Sequence, residues 1–378
     1  MKILLVNWLD LENPQAGGAE IHLFEIFSRL VLGGDRVHLV CSGWKGAQST
    51  AEIQGITVER IGDRNTFAVK ARGAIRRALK REEYDIVVED VNKIPLFTPN
   101  LTELPCYTIV PHLFGPTAFR EASLPVALVV WLSERPLSFG YRRAAFHAIS
   151  HSTKEDLVRR GVAADRVRVI FPGLDVASFS PVGEEGRNPD PTFLYLGRLR
   201  KYKGVETAIR GLLGVRKKFP RAILQIAGEG PDRQRLQGIA HELGVSANVE
   251  FLGLVSENKK REVLSRAWAV VFPSVKEGWG MTNVEAAASG TPAIAADSPG
   301  LRETVLDDET GFLVPCDDVD AWSRAMLKIA ENPQLRDSLG VNGRKFAEEL
   351  SWDRAAAETR SHLVEWLNAE TGSMRKEW

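Results

Sequence analysis

PGLDVASFSPVGEEGRNPDP, residues 172–191, is rich in proline, glycine and acidic residues and has neither a strand nor a helix period. Such a stretch reads as a linker, and its flanks decide the fold. Upstream, apolar runs of strand length recur: ILLVNWL, VHLVCS, TVERIG, DIVVED, CYTIV, FHAIS and RVRVI. Helical-period segments lie between several of them. In AEIHLFEIFSRLVLGG (19–34), Ile21, Phe24, Phe27 and Val31 share a face and the GG pair stops the helix. Downstream, the alternation restarts with TFLYLG, ILQIAGEG, VEFLG, AVVFPS, PAIAA and GFLVP, and three helical stretches follow. Continuous apolar strands between helices point to parallel sheets covered on both faces. The pattern predicts an α/β chain of two doubly wound domains, 1–172 and 190–352, facing each other across a cleft.

Composition narrows the function classes. The chain has 378 residues, 44% hydrophobic and 26% charged, which suits two folded domains rather than a disordered segment. Forty-nine basic residues balance 49 acidic ones, so no global field favours nucleic acid, and none is expected as a partner. The basic stretch RGAIRRALKR (72–81) reads as the solvated face of a helix. Cys41, Cys106 and Cys316 are scattered and form no CxxC, which fits a reducing cytoplasm. MKILLVNWL reads as a first strand rather than a signal peptide, because charged residues follow it and no cleavage site appears. The longest apolar run, LPVALVVWL (124–132), falls well short of the roughly 18 residues of a membrane span.

In doubly wound sheets ligands bind beyond the carboxyl ends of the strands, so the loops after strands carry the candidates. NPQAGGAE (13–20) places Gly17 and Gly18 before a helix, where backbone amides suit a phosphate; the bland reading is a glycine turn. GRLRKYKG (197–204) places Arg198 and Lys203 after a strand, two cations that suit a diphosphate unless the loop is merely solvated. VPHLFG (110–115) sets His112 just past CYTIV. VKEGWGMTNVEAAASGTPAIA (275–295) holds two acids, Glu277 and Glu285, around a glycine-rich turn. Thr282-x-x-Glu285 also fits a helix capping box, which leaves Glu277, Gly278 and Gly280 without a reason. No Asp-x-Asp follows a strand, and Asp317 and Asp318 read as helix-start carboxylates, so neither metal nor cofactor is expected. AGEGPD (227–232) lacks the third glycine of a dinucleotide fingerprint, which argues against a dehydrogenase.

GRLRKYKG, AGEGPDRQRL, FLGLV and EGWGMTNVEAAASGTPAIA arrive in one order. Together they resemble the nucleotide-sugar domain of the retaining glycosyltransferases of family 4, which have the GT-B fold of two Rossmann-like domains. The Glu-x7-Glu pair is the most specific element. GGAE, His112, ISHSTKEDL and SPGLRETVLDDETGFLVP extend the resemblance over most of the chain. It implies a metal-independent transfer of sugar from a UDP- or GDP-sugar to a hydroxyl of a glycan, lipid-linked or small-molecule acceptor. On that resemblance Arg198 and Lys203 would neutralise the leaving diphosphate, Glu277 would hold the sugar and Glu285 the ribose. Amides around Gly280, Met281 and Thr282 would meet sugar and phosphates, and Val255 would border the base. Gly17 and Gly18 would approach the diphosphate, His112 would lie near the anomeric carbon, and a last helix, 353–378, would return to the acceptor-side first domain.

Two departures stand out: Pro172 occupies the position of the family's usual Asn in FPGLD, and Thr282 replaces a proline and is able to cap the helix. A nucleotide-sugar epimerase and a non-catalytic nucleotide-sugar binding protein are the alternatives. The first needs a second set of acid and base carboxylates, and the second is disfavoured by the full set Arg198, Lys203, Glu277 and Glu285. FREASLPVALVVWLSERPLSFGYRR (119–143) has two readings, a buried core helix or a peripheral membrane contact with flanking arginines.

Overall fold

The computed structural model describes residues 1–117, 119 and 124–374. It divides into two compact units, 1–173 with 352 onward, and 174–351. In unit 1, β1 (Lys2–Val6) leads into α1 (Gly18–Leu32), then β2 (Arg36–Cys41), β3 (Thr50–Ile53), β4 (Ile56–Arg60) and α2 (Phe67–Arg81). There follow β5 (Ile86–Asp90), β6 (Cys106–Val110), α3 (Leu124–Glu134), α4 (Leu137–Gly140), β7 (Ala144–Ala148), α5 (His151–Arg159) and β8 (Val167–Val169). Their sheet runs β3-β4-β2-β1-β5-β6-β7-β8. Every neighbouring pair is parallel except β3 and β4.

That hairpin departs from the purely parallel reading. Gln54 and Gly55, at φ 52° and 79°, form the two-residue turn, whose twist matches an antiparallel ribbon. TAEI, with only Ile53 buried, is too polar to announce a strand. The face of α1 also differs from the one read in sequence. Leu23, Phe24, Ile26, Phe27 and Leu30 are buried, whereas Ile21 is 47% exposed. The sheet covers one side of this helix and α12 (Trp352–Met374) another, which widens and turns its buried stripe. Arg29 holds Asp353 at 2.6 Å and Arg360 holds Asp35 at 2.8 Å along that contact. Residues 375–378 of the expected last helix lie outside the described residues.

The segment 119–143 is the clearest correction to a core reading, although residues 120–123 within it lie outside the described ones. Ala127 and Glu134 are the buried residues of α3. Leu124, Val126, Leu128, Val129 and Leu132 keep 44–72% of their surface exposed. The basic helix α2 behaves as read, burying Phe67, Ala71, Ala74, Ile75 and Ala78 with its arginines outward. Among the described residues no helix is long and apolar enough to cross a membrane.

Unit 2 contains β9 (Thr192–Leu196), α6 (Val205–Arg216), β10 (Ile223–Ala227), α7 (Arg233–Glu242), β11 (Val249–Gly253) and α8 (Glu257–Arg266). It continues with β12 (Ala269–Phe272), α9 (Met281–Ala288), β13 (Ala293–Ala296), β14 (Gly311–Val314), α10 (Val319–Glu331) and α11 (Pro333–Glu348). The sheet order is β11-β10-β9-β12-β13-β14, all parallel. Phe193, Tyr195, Leu224, Ile226, Val271 and Ile294 from its strands meet Ile209, Leu212, Trp322 and Met326 from helices in one core. The stretch 172–191 is packed rather than loose. Leu174 N–H donates to Leu350 O at 3.0 Å, and buried Arg187 donates to Ala267 O and Gly290 O at 2.7 and 2.9 Å.

Unit 1 buries four imidazoles, those of His22, His38, His147 and His362. The ring centroids of His22 and His147 lie 5.5 Å apart, and His362 Nδ1 is 2.9 Å from the Tyr107 hydroxyl. Burial takes His22 and His362 from 6.5 down to about 4, with Arg168 adding to the effect on His362 and Glu365 opposing it. Burial, aided by His22, also holds His147 well below its usual value. A cationic group whose folded value lies below its unfolded one binds protons preferentially in the unfolded chain. Its stabilising contribution is therefore intact above pH 6.5 and lost as pH falls towards 4. At the acid limit His22 alone withdraws about 3 kcal/mol. Thermal melts should show Tm falling over that window, and His22→Leu should flatten the fall. An unchanged slope in that variant would place the acid sensitivity in other groups.

Candidate functional site

All strands of the second sheet are parallel, so every loop that leaves a strand end emerges on one edge. β9 is flanked by β10 on one side and β12 on the other, so the strand order reverses between β9 and β12. The crevice at such a reversal is where open α/β sheets take ligands. The two loops bordering it are GRLRKYKG, after β9, and the loop leading to α9, after β12.

Backbone hydrogen bonds bind this edge together. Gly197 N–H donates to Ala227 O at 3.0 Å, Leu199 to Glu229 O at 2.9 Å and Gly228 to Gly253 O at 2.7 Å. Val275 N–H donates to Tyr202 O at 3.1 Å, which ties the two crevice loops to each other. Glu277 N–H donates to Pro299 O at 3.1 Å. Gly300, at φ 82°, lies so close that a Cβ there would stand 2.4 Å from Glu277 O. A side chain at 300 would push Glu277 out of place.

The side chains then pair across the crevice. Lys203 Nζ lies 2.5 Å from Glu277 Oε1, and both side chains are largely buried. Burial opposes the Lys203 charge, but the Glu277 carboxylate outweighs it and the ammonium pKa is raised. The second acid has a lysine as well. Lys260 Nζ, on α8, lies 2.7 Å from Glu285 Oε1 and 2.9 Å from Glu257 Oε2. Burial raises the Glu285 carboxyl, with Lys260 offsetting part of that rise. On Lys260 the balance is reversed: burial works against its charge, and the carboxylates of Glu285 and Glu257 carry its pKa upward. Arg198 is exposed, with no ion-pair partner among the described residues.

The helix after the glycine loop does not start with a capping box. Gly280, at φ 95°, is the N-cap of α9, and no side chain caps it. Thr282 therefore falls inside the first turn, where its hydroxyl points to Leu196 O at 3.4 Å, and Glu285 is free of any capping duty. The left-handed glycine begins the helix two residues before the position at which the Thr282 hydroxyl would have capped it, so the capping-box reading fails. The leading amides of α9, around Gly280, Met281 and Thr282, precede any intrahelical acceptor and face the strand-end edge. Val255 sits half-buried in the loop between β11 and α8 on that same edge, beside exposed Leu254.

Unit 1 holds the remaining candidates. Gly17 is the N-cap of α1, and its N–H donates to Glu20 Oε2 at 2.8 Å. A Cβ added at Gly18 would meet open space. His112 is half-buried beside Phe114, ring centroids 4.8 Å apart. Just after it, the N–H groups of Phe114 and Gly115 donate to the buried carboxylate of Glu134 at 2.7 and 2.8 Å. Sequence reading passed over Glu134 and Lys260. In each case the partner lies 19 to 25 residues away on another element, and SENKKRE does not distinguish Lys260 from exposed Lys259.

Two family models match, "Glycosyltransferase Family 4" over residues 16–178 and "Glycosyl transferases group 1" over 182–346. The chain belongs to glycosyltransferase family 4. Among known structures, this family-4 chain is similar to sucrose-phosphate synthase from Thermosynechococcus elongatus, with a TM-score of 0.83 at 23% identity over 97% of this chain and 99% of that one. It is also similar to Anabaena HepE in complex with UDP, with a TM-score of 0.78 at 18% identity over 97% and 100%. The fold is GT-B. In sequence, the D-inositol 3-phosphate glycosyltransferase of Streptomyces scabiei is 31% identical over 57% of this chain and 53% of its own length. The chain thus spans about half the length of the first curated relatives it matches. An uncharacterized glycosyltransferase of Methanocaldococcus jannaschii is 25% identical over 95% and 97%.

The Lys260 pairing yields a test. Lys260→Met removes the charge that offsets burial at Glu285, so the carboxyl should titrate at higher pH. If Glu285 accepts hydrogen bonds from a nucleoside, nucleotide affinity in this variant should begin to weaken, as pH is lowered, at a higher pH than in wild type. Lys260→Arg should follow wild type. Calorimetric titration with UDP and GDP checks it, and a Lys260→Met profile that coincides with the wild-type one would remove Lys260 from the site.

Proposed function

We propose that this family-4 chain is a retaining glycosyltransferase that moves a sugar from a nucleoside-diphosphate sugar to a hydroxyl acceptor without a metal ion. The observation that carries the reading is the pairing of both motif acids with lysines at the reversal point of the second sheet, Glu277 with Lys203 and Glu285 with Lys260. Unit 2 then takes the donor. A diphosphate entering beside Lys203 is a stronger partner for the ammonium than Glu277. It releases Glu277 towards hydroxyls of the sugar, so no charge is left bare. Arg198, exposed and without an ion-pair partner among the described residues, adds a second cation, and the leading amides of α9 add dipoles. Glu285 accepts from the ribose hydroxyls, and Val255 borders the base. HepE binds UDP, which supports UDP as the first nucleotide to test.

The chemistry follows from that charge pattern. As the bond between the anomeric carbon and the phosphate oxygen breaks, positive charge grows on the sugar ring and negative charge on the diphosphate. Lys203 and Arg198 stabilise the second, and the grip on the sugar positions the first. Both acids are committed to lysines and to substrate hydroxyls, which suits neither a nucleophile nor a general acid. The acceptor oxygen attacks the anomeric carbon on the face the phosphate leaves, and the acceptor proton passes to the departing phosphate oxygen. Configuration is retained. Unit 1 takes the acceptor; its Gly17–Gly18 turn, where Glu20 holds the Gly17 N–H, brings the leading amides of α1 towards the diphosphate, and His112 lies near the anomeric carbon as a hydrogen-bonding side chain. The acceptor is a hydroxyl of a glycan, a lipid-linked sugar or a small molecule such as inositol phosphate, the last suggested by the relatives' name. The exposed aliphatic residues of α3 support a peripheral membrane contact through 119–143.

Lys203→Ala should lower turnover by about 100-fold, and EDTA should leave the wild-type rate unchanged. Restoration of an EDTA-stripped enzyme by magnesium would overturn the role given to the two cations. The acids should separate cleanly. Glu285→Gln is expected to weaken UDP binding by about 1–2 kcal/mol with little change in Tm. Glu277→Gln should leave free UDP binding intact or tighter, because Lys203 loses a competitor, while turnover collapses. Equal losses of UDP affinity in both variants would refute the division of roles.

A further inference from the structure

Beside α3 is a cavity of ≈ 410 Å³ lined by Gly115, Trp131, Arg135, Asp156, Arg159 and Arg160. We infer that this cavity receives the phosphate headgroup of an anionic membrane lipid while α3 rests in the interfacial layer. The inference rests on the peripheral membrane contact proposed above and gives it a specific site.

The helix supplies the apolar half. α3 presents Leu124, Val126, Leu128, Val129 and Leu132 to solvent along its length, with Phe119 before it and Phe139 after it. So many exposed aliphatic side chains on one short helix mark a surface that another apolar phase covers. Trp131 belongs to the same helix, and tryptophan favours the level of lipid headgroups.

The cavity supplies the charged half. Arg160 is held by Glu134 at 3.2 Å and by Asp156 at 3.3 Å, which fixes it as part of the wall. Arg159 reaches the same Asp156 at 3.8 Å, its Nε–H donates to Glu155 O at 3.3 Å, and the side chain is largely exposed. Arg135 stacks over the Trp131 ring at 3.8 Å and has no carboxylate partner among the described residues. A guanidinium stacked on an indole keeps its N–H fork in plane and available, the geometry that suits two phosphate oxygens. Three guanidiniums face Asp156 and the Glu134 behind it, so the wall keeps a net positive charge. Cations at the rim of an exposed apolar helix complement an anionic bilayer.

The test uses the full chain and flotation with vesicles of phosphatidylcholine alone or mixed with phosphatidylglycerol. Wild type should float with the mixed vesicles and not with the neutral ones. Val129→Asn should abolish flotation. The pair Arg135→Gln and Arg159→Gln should weaken it about tenfold, whereas Arg76→Gln and Arg77→Gln, an equal change of charge on α2, should weaken it less than about threefold. Glycerol phosphate should release the protein beyond what chloride of equal ionic strength releases. Equal losses in the two arginine pairs, or release matched by chloride, would overturn the pocket while leaving membrane contact standing. Failure of wild type to float with either vesicle, or a dimer broken by Val129→Asn in place of flotation, would overturn both.

Discussion

The parallel strand order of the second sheet is the constraint on which its chemistry depends. When every strand runs the same way, all strand-end loops collect on one edge, and the order β11-β10-β9-β12-β13-β14 opens the crevice between the loops after β9 and β12. Those two loops carry Lys203 and Glu277. Their backbones are joined through Val275 and Tyr202, and the Glu277 loop is seated on the strand-end loop after β13 through Pro299. A cation and an acid separated by 74 residues thereby meet at 2.5 Å.

A largely buried carboxylate is costly unless it is paired. In this chain each motif acid has a lysine, and a pair that is stable without substrate is also one that a stronger anion can rearrange. The arrangement stores no unpaired charge before binding and needs none afterwards. Glu285 shows how closely the balance is drawn: burial pushes its carboxyl up and Lys260 holds it back. Unit 1 uses buried polarity for a different purpose. Three of its four buried imidazoles, those of His22, His147 and His362, lie on α1, β7 and α12 and are kept neutral by burial, so the attachment of the last helix carries a built-in sensitivity to acid.

Surface economy is set aside in one place. α3 leaves five aliphatic side chains in water, although its sequence alone fits a core helix as well as an interfacial one. The arginines around Trp131 give that exposure a direction, because exposed aliphatic side chains beside a wall of three guanidiniums and two carboxylates, net positive, match an anionic lipid surface.

Much of this protein was legible in its residues one segment at a time. Apolar runs of strand length, glycine stops and the break at 172–191 depend on neighbouring residues, and they predict a doubly wound α/β chain and its strand-end loops. The two motif acids, Arg198 and Lys203 were visible for the same reason. The hairpin of β3 and β4 was not, because TAEI is stabilised by a partner strand rather than by its own pattern. The buried face of α1 turned away from Ile21 because helix α12, more than 300 residues further on, packs against it. Thr282 lost its capping role to a left-handed glycine, at a position where Leu301 and Thr304 leave no room for a Cβ. Lys260 joined Glu285 only once α8 and α9 lay side by side. Local propensity is written in adjacent residues. Which lysine meets which acid, and which face of a helix is buried, depends on contacts that exist only after distant segments have packed.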